Sequence, residues 1–211
     1  MKHINTYINM KHINTYITEK LKISKLKKVE HTLFPKTKDE LISMIIKEIK
    51  QNGNECNLNH IDVSKITNLD NVFWYSDTKN FNGDISQWDV SKVESMQGLF
   101  ELSDFEGDIS DWDVSKVDNM ALMFCGSSFD GDLSTWDVSN VENMEFMFNN
   151  SMYSGRNGNI SKWDVSKVLN MNKMFYNSDF NQDISNWQIN PKCEIYKIFD
   201  NCPIKKEYRP F

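Results

Sequence analysis

The sequence predicts an α/β repeat protein, a solenoid of about six coils in which each coil has a short strand and a short helix. The first observation is the motif W-D-V-S-x-V-x-x-M-x-x-M-F, which recurs at intervals of 24 or 27 residues. A fixed period of this length is typical of stacked repeats that share one core. The leading residues of the copies are Ile61, Trp88, Trp112, Trp136, Trp163 and Trp187.

The second observation is a change of period inside each copy. Residues 88–90 alternate apolar, polar and apolar, which indicates a half-buried strand. Apolar residues then recur at steps of three and four, which predicts one face of a short helix. Ser91 with Glu94 has the spacing of a capping box at the start of that helix. The apolar residues of this segment are Val93, Met96, Leu99 and Phe100.

The tryptophans and phenylalanines are expected inside the stack. One coil has no second layer to bury its own aromatic side chains, so neighbouring coils must cover them. All six tryptophans are assigned to this core pattern, which argues against their use as platforms for sugar stacking.

The third observation is an amphipathic segment before the first copy. Thr37 with Glu40 forms a capping box, and Asn52-Gly53 provides a stop. We therefore divide the chain into a basic N-terminal docking arm (1–30), an N-terminal capping helix (31–53), the repeat region (54–190), and a C-terminal cap and tail (191–211). The apolar face of the predicted capping helix comprises Leu41, Ile42, Ile45, Ile46 and Ile49.

Charge separates the two parts of the chain. Residues 1–53 carry 11 Lys and five acidic residues, whereas the remainder carries 13 basic and 25 acidic residues. Within the arm, apolar residues at helical spacing predict a short amphipathic helix that orders only against a partner or against the rest of the chain. The predicted docking residues are Ile13, Tyr16, Ile17, Leu21, Lys22 and Lys25.

Composition argues against several classes of protein. No stretch is long and apolar enough to predict a membrane span, and no secretion signal is recognised, which favours a cytoplasmic or virion-associated protein over a classically secreted one. The segment M-K-H-I-N-T-Y-I occurs twice, at 1–8 and 10–17, so either Met1 or Met10 is the native start. The four cysteines lack metal-site spacing, and we expect no cofactor and no metal.

The repeat resembles that of BspA-type leucine-rich-repeat surface proteins. Residues 81–100, F-N-G-D-I-S-Q-W-D-V-S-K-V-E-S-M-Q-G-L-F, carry the resemblance, which recurs across residues 54–190. Residues 10–28 are similar to short N-terminal leaders of gut-phage proteins. The resemblance implies a leucine-rich-repeat-like, right-handed solenoid that acts in adhesion or protein recognition, in bacterial surface proteins or in phage and giant-virus proteins, with no catalytic residues.

Partner-binding residues are expected where the repeat pattern does not fix the residue. The position before each tryptophan should point outward from the strand. The position ten residues after each repeat start places Leu122 and Phe146 next to each other on the helical side. The candidate partner-binding residues are Leu122, Phe146, Gln87, Asp111, Thr135 and Lys162.

Two ladders of aspartates repeat along the chain, in W-D-V-S and in G-D-I-S. Turn and cap hydrogen bonds are the ordinary way to satisfy such carboxylates, and a calcium ladder is the alternative. The two ladders comprise Asp89, Asp113, Asp137 and Asp164, and Asp84, Asp108, Asp132 and Asp183.

The leading hypothesis is a non-catalytic, protein-binding or structural repeat protein whose partner is a host-surface or virion protein. The alternative is a nucleic-acid-associated protein that uses the lysines of the arm, but these are few and the acidic remainder opposes phosphate binding. A polysaccharide-cleaving enzyme is the remote alternative, because repeated aspartates have like environments and hydrolysis needs two carboxylates with different pKa values.

Overall fold

The computed structural model describes residues 29–211, of which residues 31–211 form one compact unit. This part contains one α-helix, α1 (Lys38–Asn52), and two short 3-10 helices, Ile160–Lys162 and Lys206–Tyr208. Its strand pairing consists of isolated parallel bridges, five of which connect one position of each repeat with the same position of the next. Those five bridges join Asn68, Ser95, Asn119, Asn143, Asn170 and Glu194 in that order.

Helix α1 begins and ends at the residues that the sequence indicates. The Thr37 hydroxyl accepts a hydrogen bond from the Glu40 N–H, and the Glu40 carboxylate accepts one from the Lys36 N–H at 2.7 Å. Gly53 ends the helix with φ 83° and donates its N–H to the Ile49 carbonyl. Leu41 and Ile45 are fully buried, so α1 covers one end of the apolar core.

The predicted α/β leucine-rich-repeat-like solenoid, with a strand and a helix in each coil, is wrong. Among residues 29–211 the repeats contain neither a regular strand nor an α-helix, and consist of turns joined by single bridges. The predicted capping box at Ser91 is wrong too. The Ser91 N–H and hydroxyl both donate to the Asp89 carboxylate. The Glu94 N–H, which a capping box would pair with Ser91, donates to the Thr67 carbonyl of the preceding repeat.

Left-handed backbone conformations are the reason why no α-helix forms in the repeats. Counting the first residue of each repeat as position 0, position 10 has a positive φ in every repeat, and position 14 has one in every repeat after the first. An α-helix cannot continue through such residues. Position 10 comprises Asn71, Gly98, Leu122, Phe146, Lys173 and Lys197, and position 14 comprises Leu102, Gly126, Asn150, Asn177 and Asn201.

Backbone hydrogen bonds from this segment alternate between two kinds of acceptor. In the repeat that begins at Trp112, the N–H groups of positions 8, 10, 12 and 14 donate to carbonyls of the next repeat at 2.8 to 2.9 Å. The N–H groups of positions 11, 13 and 15 donate to the carbonyl three residues back. Four of these amides therefore attach this repeat to the one that follows, and three close turns.

Aromatic stacking forms the core of the repeat stack, as predicted. The phenylalanine at position 12 stacks on its equivalent in the next repeat, with ring centroids 5.4 to 5.9 Å apart from Phe73 to Phe199. Trp136 is 4% exposed, and its indole N–H donates to the Ile109 carbonyl at 3.1 Å. The other tryptophans that begin repeats are buried in the same way.

Trp74 is the exception to the predicted burial of all six tryptophans. It is 45% exposed and stands at position 13 of the first repeat, with its ring against that of Tyr75. The prediction fails because Trp74 does not begin a repeat and so falls on the outward side of the turn segment.

Candidate functional site

One surface of the repeat stack combines outward-facing side chains with variation between repeats. We call it the turn face and define it as positions 9, 10, 13 and 14 of each repeat. These positions meet each other within and between repeats, because the Lys173 ammonium group at position 10 lies 5.3 Å from the Phe146 ring and 5.7 Å from the Tyr176 ring. Positions 10 and 13 therefore share one surface in this part of the stack.

Position 10 holds the predicted apolar pair Leu122 and Phe146. Both side chains are half-buried, and the Leu122 N–H donates to the Glu145 carbonyl of the next repeat at 2.8 Å. The sequence predicted that this pair lies on a helix, and this prediction is wrong. Both residues have a left-handed backbone, with φ 61° and 56°. They occupy equivalent positions of adjacent repeats on a surface made of turns.

Positions 13 and 14 add further exposed apolar side chains, and sequence reasoning missed them. Leu102 is 59% exposed, and Tyr75 and Trp74 are both exposed at the beginning of the stack. Tyr196 at position 9 is 62% exposed at the other end. A signal was present, because the pair of residues at positions 13 and 14 differs from repeat to repeat, although asparagine recurs at position 14 in three of them.

The other predicted column, the position before each tryptophan, lies at the surface as expected. Gln87, Asp111, Thr135 and Lys162 are all exposed. The Thr135 hydroxyl donates to the Ser110 carbonyl at 2.5 Å, so this side chain also links two repeats. The four side chains in this column are all polar, so the column contains no apolar contact surface.

Both aspartate ladders are held by turn hydrogen bonds. The Asp113 carboxylate accepts from the Ser115 N–H at 3.1 Å and from its hydroxyl at 2.6 Å. The Asp108 carboxylate accepts the same two bonds from Ser110. In one repeat Asn159 replaces the aspartate, and its side-chain oxygen still accepts a hydrogen bond from the Ser161 N–H. These side chains stabilise the turns, which is the ordinary alternative considered from sequence.

Electrostatics on the turn face disfavours a reactive thiol. Burial raises the pKa of the Cys125 thiol to about 11, and the nearby Glu101 carboxylate adds to the effect. Burial also raises the pKa of Glu101 above its ordinary value. Cys125 is consequently a neutral thiol at physiological pH, and a thiolate is the form that nucleophilic chemistry needs.

Two further properties concern the described part of the chain. Within residues 29–211, no three His, Cys, Asp or Glu side chains come together in a way that fits a metal ion. No helix in this part has the length and apolar character that crossing a bilayer requires. The predicted docking residues Ile13, Tyr16, Ile17, Leu21, Lys22 and Lys25 lie outside the described residues.

Comparisons with known proteins place the repeats in one family. No curated protein and no solved structure matches the chain. The profile of the family described as "Mycoplasma protein of unknown function, DUF285" matches twice, over residues 41–156 and 127–207. The two matches overlap over residues 127–156. Together they extend from helix α1 to the C-terminal tail, and the chain belongs to this family.

Proposed function

We propose that this chain is a non-catalytic recognition protein whose turn face binds another protein. The observation that carries the proposal is the row of exposed apolar and aromatic side chains on that face. Aromatic side chains are enriched in the buried centres of protein interfaces. The resemblance to BspA-type surface proteins favours a partner on a host surface or in a virion.

The contrast between faces supports the choice of the turn face. The aspartate ladders repeat nearly the same residues in each copy, and their carboxylates are already engaged in turn bonds. A surface of that kind offers little to distinguish one partner from another. The turn face, by comparison, presents Trp74 and Tyr75 at one end, Leu122 and Phe146 in the middle, and Tyr196 at the other end.

The rigid backbone under the turn face also favours recognition. Each repeat is attached to the next by alternate amide groups, so the side chains at positions 10 and 14 are held at fixed spacing. Preorganised side chains lose less conformational entropy on binding than side chains on a mobile loop. Binding through such a surface depends mainly on apolar contact and should be insensitive to salt.

A triple variant tests the proposal without disturbing the fold. Asparagine occupies position 14 in three repeats and position 10 in one, and it tolerates the left-handed conformation better than leucine or phenylalanine. Leu102→Asn, Leu122→Asn and Phe146→Asn together should therefore leave the repeat stack folded while removing the apolar centre of the turn face. The matched control is Gln87→Asn, Thr135→Asn and Lys162→Asn, because Asn186 already occupies that column.

The measurement is capture of surface proteins from cells that carry the gene, with the partner identified for the wild-type chain and then purified. We expect the control variant to bind that partner like the wild type, and the turn-face variant to bind at least 100-fold more weakly. Retained binding by the turn-face variant, or selective loss in the control variant, would place the interface elsewhere. Wild-type binding to nucleic acid that falls steeply with salt would favour the nucleic-acid alternative.

A further inference from the structure

Charge is distributed unevenly along the turn face. In the first four repeats its positions hold acidic residues and neither lysine nor arginine, whereas in the last two repeats they hold Lys173 and Lys197. The chain after residue 53 carries 13 basic and 25 acidic residues, so two lysines at the same position of adjacent repeats contrast with the prevailing charge. The acidic residues of the turn face are Asp70, Glu101 and Glu145 in the first four repeats and Asp200 in the last.

Aromatic rings lie beneath both lysines. The Lys173 ammonium group is 5.3 Å from the centre of the Phe146 ring, in the preceding repeat, and 5.7 Å from the centre of the Tyr176 ring, in its own repeat. The Lys197 ammonium group is 5.3 Å from the centre of the Tyr196 ring. An ammonium group at this distance is attracted by the electron-rich face of a ring. Both positive charges therefore have preferred positions on the surface.

The two lysines belong to adjacent repeats that are joined at this point. The Lys173 N–H donates to the Tyr196 carbonyl at 2.9 Å, and the Asn172 side-chain oxygen accepts from the Tyr196 N–H at 2.7 Å. Backbones paired in this way lie about 5 Å apart, so the rings and lysines of the two repeats are neighbours. We call this group the lysine–aromatic cluster, and it consists of Phe146, Lys173, Tyr176, Tyr196 and Lys197.

Neither lysine of the cluster forms an ion pair with a carboxylate of residues 29–211. Lys173 is half-buried and Lys197 is exposed, so both can be reached from solvent. Phe146 belongs both to the cluster and to the apolar pair that it forms with Leu122. The cluster therefore places positive charge at the border of an apolar contact surface. The ion pairs in this part of the chain are Lys50 with Asp77 and His60 with Glu48.

We infer that the partner of the turn face is a protein segment in which acidic residues follow an apolar stretch. Its apolar side chains contact Leu122 and Phe146, and its carboxylates pair with Lys173 and Lys197. This inference rests on the proposed function, because it takes the turn face as the binding surface. Charge pairs at the border of an apolar contact fix the orientation and register of a partner. The acidic residues of the first four repeats repel the same carboxylates, so the reverse orientation is disfavoured.

A polyanion fits the cluster less well than a protein segment does. Nucleic acids are bound through many cationic contacts to phosphates, and two lysines on an acidic protein provide few. Glu145 and Asp200 belong to the same face and oppose a dense row of negative charges. A peptide can instead offer one carboxylate to each lysine and place apolar groups against the exposed Tyr196 ring.

Peptide selection tests the chemistry of the partner. A library of random peptides displayed on yeast is selected on the wild-type chain, and the peptides that need the turn face are identified by their failure to bind the Leu102→Asn, Leu122→Asn and Phe146→Asn triple variant. Their affinities are then measured for a cluster variant, Lys173→Glu/Lys197→Glu. The matched control is Lys162→Glu/Lys192→Glu, which makes the same change of charge at exposed lysines outside the turn face. Circular dichroism establishes that each variant is folded.

We expect the peptides that need the turn face to carry Asp or Glu beside apolar residues. They should bind the cluster variant about 10-fold more weakly than the wild type or the control variant, because two ion pairs become repulsive. Replacing the acidic residues of such a peptide by lysine should weaken its binding to the wild type and restore binding to the cluster variant. That recovery distinguishes direct pairing from damage to the fold.

The other outcomes separate this inference from the proposed function. Peptides that need Leu122 and Phe146 but lack acidic residues, or that bind the cluster variant as well as the wild type, would overturn the inference and leave the proposed function standing. A selection without any peptide that needs the turn face would count against both. Vesicles of phosphatidylserine that bind the wild type and not the cluster variant would assign the lysines to a membrane surface and overturn the inference.

Discussion

Helix α1 and the turn segments of the repeats have the same apolar spacing and different structures. In α1, Leu41 and Ile45 are four residues apart on one buried face of a regular helix. In the repeats, Met96, Leu99 and Phe100 are buried at similar spacing, yet Gly98 and Leu102 between and after them have positive φ. Apolar residues spaced three and four apart thus indicate which side chains face inward. They do not indicate whether the backbone between them is an α-helix or a series of turns.

The acceptors of the backbone N–H groups explain the difference. An isolated helix at the end of a stack has no adjacent repeat on its outer side, so it must satisfy its own amides. A turn segment inside the stack has a neighbour, and alternate amides donate to it. Hydrogen bonds to a neighbouring repeat therefore replace helical hydrogen bonds in the turn segments, and α1 has no such replacement.

The largest expected effect comes from a cavity in the middle of the stack. Trp136→Ala should lower the free energy of unfolding by about 3 to 5 kcal/mol, because it removes a buried ring between two repeats. The bond from its indole N–H to the Ile109 carbonyl is lost as well. Chemical denaturation measures the change.

Trp74→Ala is the matched control for this prediction, because Trp74 is exposed on the turn face. It should cost less than about 1 kcal/mol. A loss below about 1 kcal/mol for Trp136→Ala would mean that the repeats do not share a core, and equal losses at both positions would remove the distinction between core and turn face.

The next effect distinguishes the two kinds of backbone directly. Gly126 has φ 66°, so Gly126→Ala should destabilise the chain by about 1 to 2 kcal/mol through backbone strain. The added methyl group also meets the Leu102 side chain, whose Cδ2 lies 2.5 Å from its position. In α1 the preference is reversed, and Lys47→Ala should be more stable than Lys47→Gly by about 1 kcal/mol.

Thermal or denaturant unfolding of the four chains, wild type, Gly126→Ala, Lys47→Ala and Lys47→Gly, checks this reversal. If alanine is tolerated at residue 126 as well as at residue 47, the left-handed conformation at position 14 is absent.

The core of the repeats could be predicted from sequence, and their backbone could not. Trp88, Val90 and Phe100 are buried as their positions in the motif indicate, and α1 is capped by Thr37 and Gly53. Leucine, phenylalanine and lysine give no warning of a left-handed conformation, yet Leu122, Phe146 and Lys173 adopt it. The asparagines and glycines at these positions are of residue types that suggest it, namely Asn71, Gly98, Gly126, Asn150, Asn177 and Asn201.

The candidate surface was predicted in part for the same reason. Leu122 and Phe146 were identified because the motif leaves position 10 unspecified, and the structure places them on the turn face. Trp74, Tyr75 and Leu102 were missed, because a helical reading of the segment gives no reason to place positions 13 and 14 outward together. The turn of the first repeat exposes both, whereas Asn149 at position 13 of a later repeat is buried.

The smallest expected effect concerns the aspartate ladders. The Ser115 hydroxyl and N–H bonds hold the pKa of Asp113 below its ordinary value of 3.8. A lowered pKa in the folded state stabilises the fold above pH 3.8, and this contribution is lost as the pH falls through the lowered value. Exposure of the carboxylate keeps the contribution small.

Asp113→Asn retains an oxygen for the Ser115 N–H, as Asn159 does for Ser161. The stability difference between wild type and this variant should therefore be largest near neutral pH and shrink below pH 3.8. Urea unfolding at several pH values measures it. A difference that grows as the pH falls would contradict the sign assigned to this carboxylate.

Scalar coupling across hydrogen bonds tests most directly how the repeats are joined. In a deuterated sample, the account predicts a coupling between the Leu122 amide nitrogen and the carbonyl carbon of Glu145, 23 residues further along the chain. Corresponding couplings should join Phe124 to Met147 and Gly126 to Asn149. A coupling from the Leu122 nitrogen to the carbonyl carbon of Asp118, four residues back, would show a helix in the repeat and contradict the account.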